Sequence, residues 1–109
     1  MKKMKLLRDK RGQIGSVEHT DYLANGGEPY RTVEAPDEIM NLLLVAKLHE
    51  EAEEIREAMT DVAEYADLLA VLLSLARRNG VSFLEIVDVM NHKRIVAGDF
   101  TKPRLLVKD

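Results

Sequence analysis

Residues 62–76 read VAEYADLLAVLLSLA, a run with no basic residue and two charges, Glu64 and Asp67. Coiled as an α-helix, this run is apolar around almost its whole circumference, and a helix of that kind is covered on all sides. Glu64 and Asp67 stand three apart, about 60° around the helix, so they point into the same space and are expected to be buried with the rest. An ionised carboxylate buried without a partner is costly, and the nearby sequence offers neither of them a lysine or arginine. A divalent cation is the expected partner.

The preceding segment supplies the complement. KLHEEAEEIRE, residues 47–57, places Glu50, Glu54 and Glu57 at steps of four and three, with Glu51 three before Glu54. On two adjacent antiparallel helices these carboxylates and the later pair converge on one cleft. The chain has no cysteine, and His19, His49 and His92 form no metal spacing, so the donors are hard oxygens, which select Mg²⁺ or Mn²⁺ over zinc. A Glu-rich run by itself is also the composition of a solvated helix face, and Glu53 with Glu57 can be read so. A solvated face mixes signs and interrupts an apolar run; Glu64 and Asp67 do neither.

Outward from this centre the helical signals are clear. Pro36 suits a first helical position, Asp37 and Glu38 suit the positive helix end, and Ile39, Leu42, Leu43 and Ala46 lead into the stripe Leu48, Ala52, Ile55 and Met59. Thr60 is the expected N-cap of the second helix, closed by Asn79 and Gly80; Ser82 with Glu85 is a capping box for a third. The predicted fold is all-α, a helical bundle with three main helices at about 37–58, 61–78 and 82–95. Gly12, Gly15, Gly26, Gly27, Pro29 and Pro36 make residues 12–36 a loop region. Short extended pieces are expected at 5–7, 30–33 and 105–107. Three helices can hardly cover 62–76, so that helix is expected in a subunit interface: a homo-oligomer, dimer or dimer of dimers, with a four-helix-type core.

With 109 residues and 12.3 kDa the chain is expected to form a single domain over 1–109. The longest uncharged apolar stretch, 68–73, is about a third of a bilayer crossing, and the N-terminus lacks the apolar core of a signal peptide, so no membrane and a cytoplasmic address are expected. A net charge of −3 and a pI near 5.6 argue against a nucleic-acid partner, which calls for a basic surface. Charge is segregated: residues 1–11 hold six basic side chains and one acid, whereas 34–67 hold eleven acids against Lys47 and Arg56.

In this arrangement the chain resembles the MazG-like group of all-α nucleoside triphosphate pyrophosphohydrolases. The family pattern E-E-x-x-E is similar to Glu50-Glu51-Ala52-Glu53-Glu54, and its E-x-x-D to Glu64-Tyr65-Ala66-Asp67. An N-terminal L-V-R-D-K looks like Leu6-Leu7-Arg8-Asp9-Lys10, and a closing K-x-x-x-R-G-G-F looks like Lys93 through Phe100, with Ala97 and Asp99 at the family arginine and second glycine. The resemblance implies Mg²⁺-dependent hydrolysis of a (deoxy)nucleoside triphosphate to the monophosphate and pyrophosphate, for nucleotide housecleaning or pool adjustment. It implies Glu51, Glu54, Glu64 and Asp67 as metal ligands. Glu50 is the candidate for a further ligand or for the catalytic group that orients or deprotonates water.

Arg8, Lys10, Lys93 and Arg94 suit the outer phosphates of the substrate, although Lys93 and Arg94 also complement a negative helix end, and a basic terminus is often a solvated tail. Tyr65 is read as packing rather than as a base-stacking platform. The alternatives are a phosphoribosyl-ATP pyrophosphohydrolase and a non-catalytic metal-binding helical dimer.

Overall fold

The computed structural model describes Leu6, Arg8 and residues 33–109. Among them there are three α-helices and no strand: a 3₁₀ turn Asp37–Ile39 leads into α1 (Met40–Glu57), followed by α2 (Val62–Arg78) and α3 (Phe83–Ala97). The all-α reading holds. Two compact units make up the chain, residues 1–72 and 73–109, with the division inside α2. None of the described helices is long and apolar enough to cross a membrane.

Helix boundaries follow local chemistry. Pro36 lies outside the first helical position, in an extended conformation with ψ 138°, and its carbonyl accepts from the Ile39 N–H at 3.2 Å. The first turn is therefore 3₁₀, and the α-helix begins at Met40. Thr60 is not the cap of α2. That role falls to Asp61, whose Oδ1 accepts from the Ala63 N–H at 2.9 Å, because a carboxylate next to the first helical residue reaches the second free N–H. At the other end, Gly80 N–H bonds to the Arg77 carbonyl and Val81 N–H to that of Ala76, the two bonds of a Schellman motif, with Gly80 at φ +78°.

The Ser82 hydroxyl accepts from the Glu85 N–H at 3.2 Å and donates to the Glu85 carboxylate at 3.0 Å, so the expected box opens α3 with its return bond on the hydroxyl. The helix runs on to Ala97, where Gly98 takes φ +88°.

The extended pieces fare differently. The segments at 5–7 and 30–33 lie mostly outside the described residues; Leu6 and Val33 are irregular. Residues 105–107, expected as an extended strip, have no regular secondary structure and pair with no strand among the described residues, and all three side chains are exposed. Leu44 is the one buried apolar side chain among the described residues, and α2 buries none within the single chain.

Candidate metal centre

The connection between α1 and α2 spans residues 58–61, the length of an αα-hairpin loop. It is tied at both ends. The Ala58 N–H is shared by the carbonyls of Glu54 and Ile55, both at 3.1 Å, and the Tyr65 hydroxyl donates to the Met59 carbonyl at 2.8 Å. Tyr65 thus fastens the turn through its hydroxyl, while its ring, expected to pack, is exposed in the single chain.

In that hairpin Glu54 and Glu64 stand near the turn, and Glu51 and Asp67 one helical turn further along. One carboxylate oxygen from each of the four lies within 4.8 Å of the others. Glu51 is buried, and Glu54, Glu64 and Asp67 are half-buried. Glu51 therefore takes the depth expected of the second-helix pair. Glu57 is exposed and outside the set, and Glu53 pairs with Arg56 at 3.6 Å on the solvent side of α1.

Like charges at this spacing disfavour the ionised forms. Burial, then the Glu54 carboxylate, push the Glu51 carboxyl above its ordinary range, against the opposing pull of Lys47. Glu54 is also raised, first by burial, then by its hydrogen bond with Glu64 and by that group's charge.

Among the described residues, two cations reach the cluster. Arg8 donates from Nη2 to Asp67 Oδ1 at 2.5 Å, 59 residues away in sequence, so that Asp67, without a basic residue in the nearby sequence, has a distant one as partner. Nothing local to residues 62–76 signals that pairing. Lys47 Nζ lies 3.4 Å from Glu51 Oε1 and 3.5 Å from Glu50 Oε2. Glu50 thus stands beside the four, held by the lysine that also holds Glu51. Yet Glu51 Oε2 and Glu64 Oε2 are buried with no hydrogen-bond partner. Buried carboxylate oxygens left without partners are costly, and a cation shared by the four groups would satisfy both. The donor set, oxygen alone, fits a hard divalent ion.

Residues 37–102 match the family profile described as dATP/dGTP pyrophosphohydrolase. The chain belongs to that family. The match covers all three helices, hence both acid pairs, and it identifies the chain with the MazG-like nucleoside triphosphate pyrophosphatases. No curated protein and no solved structure matches.

Lys93 and Arg94, both exposed on α3, line a shallow depression with Gly98, Asp99 and Phe100 in the second unit. Lys10 and His19 lie outside the described residues; His49 is exposed on α1 and His92 on α3.

Proposed function

We propose that the protein hydrolyses a purine deoxynucleoside triphosphate, dATP or dGTP, between the α and β phosphates to the monophosphate and pyrophosphate, with Mg²⁺ or Mn²⁺. The observation that carries this reading is the convergence of Glu51, Glu54, Glu64 and Asp67, with two buried oxygens unpartnered, in a chain of the dATP/dGTP pyrophosphohydrolase family. These four would hold the cation, which when bound neutralises phosphate oxygens and acidifies a water. Glu50, which shares Lys47 with Glu51, would be the group that orients that water or accepts its proton. Arg8 is exposed enough to exchange its carboxylate for a phosphate, to which a guanidinium binds in bidentate fashion. Lys93 and Arg94 are further candidates for the outer phosphates, with Asp99 opposing them in the same depression.

We further propose a homo-oligomer, because α2 leaves Leu69 and Leu72 exposed in the single chain and one buried leucine is worth only about 1.5–3 kcal/mol. The test of function is a panel of canonical and modified (d)NTPs and phosphoribosyl-ATP with Mg²⁺, with all products resolved. The expected result is dAMP or dGMP with pyrophosphate. Diphosphate with orthophosphate would sink the proposed bond cleavage, turnover of phosphoribosyl-ATP alone would move the assignment there, and turnover of nothing would favour the non-catalytic dimer.

A further inference from the structure

Lys47 is set one turn before the adjacent pair Glu50 and Glu51, with a side chain only 15% exposed. Burying an ammonium that far costs free energy unless it is paired, and a lysine N-terminal to its glutamate is the less favourable order along a helix. Helix stabilisation alone therefore gives little reason for a lysine at this position. What it touches gives a better one.

The two oxygens of Glu51 are in different circumstances. Oε1 is held by the Lys47 ammonium at 3.4 Å; Oε2 is buried and has no hydrogen-bond partner. The same ammonium reaches Glu50 Oε2 at 3.5 Å. A lysine can serve two carboxylates in this way because its three donors rotate about a compact charge, whereas a guanidinium directs its donors along a fixed fork.

We infer that Lys47 is a positioning residue of the acidic centre: it fixes Glu51 through Oε1 so that Oε2 is presented to a divalent cation, and it links Glu50 to Glu51 so that the two carboxylates keep one relative placement. This rests on the reading of the four acids as a metal site. Partners of this kind, which hold a ligand by the atom the metal does not use, set the geometry a rigid ion meets.

Binding of Mn²⁺ alone to the full chain, measured by calorimetry and by loss of the free-ion paramagnetic resonance signal, tests the inference. Lys47→Met should weaken binding by about 10–100-fold, and Lys47→Arg, which keeps the charge but directs its donors along a fixed fork, should restore only part of the loss. Melting of the metal-free variants separates loss of fold from loss of affinity. Should Lys47→Met fail to fold, Lys47→Gln, which keeps a donor without the charge, carries the same comparison. If either neutral variant binds Mn²⁺ as tightly as the unmodified chain or more tightly, Lys47 is only a counter-charge and the inference falls while the metal site stands. If the unmodified chain binds no Mn²⁺, both fall together.

Discussion

Asp67 combines two observations that pull its substitution in opposite directions. Its exposed pair with Arg8 is worth at most about 1 kcal/mol, while its charge lies among three other carboxylates. Asp67→Asn should therefore leave the metal-free protein as stable as before or slightly more so. It should abolish the rise in melting temperature with Mg²⁺, which reports a stabilisation of roughly 2.7 kcal/mol at a hundredfold excess over Kd, together with nearly all turnover. Glu53→Gln, on the solvent side beside Arg56, should change neither; an unchanged Mg²⁺ response in Asp67→Asn would remove Asp67 from the ligand set. The raised pKa values of Glu51 and Glu54 give a second prediction. From about pH 4.5 up to those raised values the folded state keeps protons that the unfolded chain has released, so their contribution to stability is fully present below the window and lost as pH rises through it. Thermal melts in chelator should show that fall, Glu54→Gln should flatten it, and Mg²⁺ should suppress it. A fall of equal size in Glu54→Gln would assign it to other groups. Helical spacing made the Glu64 and Asp67 pair legible, but on α1 it offered Glu50, Glu51, Glu54 and Glu57 together, and only the family resemblance pointed to Glu51 and Glu54 as the two that join the pair. Arg8 on Asp67 was not legible, since no periodicity links residues 59 apart, and Lys47 was read only as a charge in an acidic segment.

At the scale of elements, the signals that depend on a single backbone conformation transferred best. Gly80 was expected after the second helix and stands there at φ +78°, where a Cβ meets no neighbouring atom. Gly80→Ala should thus cost about 1–2 kcal/mol through backbone strain alone, seen as a lower denaturation midpoint with an unchanged m-value. Ser82→Ala should cost about 1 kcal/mol by removing the acceptor of the Glu85 N–H. If the glycine change were neutral, the left-handed cap would not be what ends α2. The start of α2 was read one residue early because Thr60 and Asp61 are both good caps, and only the path of the turn decides which side chain reaches the second helical N–H. Residues 105–107 were read as an extended apolar strip, and they carry neither helix nor strand, since a strand needs an edge to pair with and none is present among the described residues.

For the whole molecule, the apolar circumference of α2 argues that the single chain is incomplete. Leu72, 37% exposed, should be covered in the proposed oligomer. Light scattering at micromolar concentration should report at least a dimer, and Leu72→Glu should dissociate it with a loss of about 3–5 kcal/mol. A well-folded monomer of the unmodified chain would remove the argument from α2. Composition and periodicity made the all-α class plain, but what lies against each apolar face is a long-range property with no local signature. The centre itself is the opposite case. Glu51 and Asp67 are only sixteen residues apart, joined through one fastened turn, so bringing them together costs just about 0.6 kcal/mol more entropy than closing a loop half as long. A cation gripping both arms would act before the rest of the chain has organised. It would then speed refolding and leave unfolding nearly unchanged, the behaviour of a hairpin that serves as folding nucleus and whose formation is timed by the supply of metal.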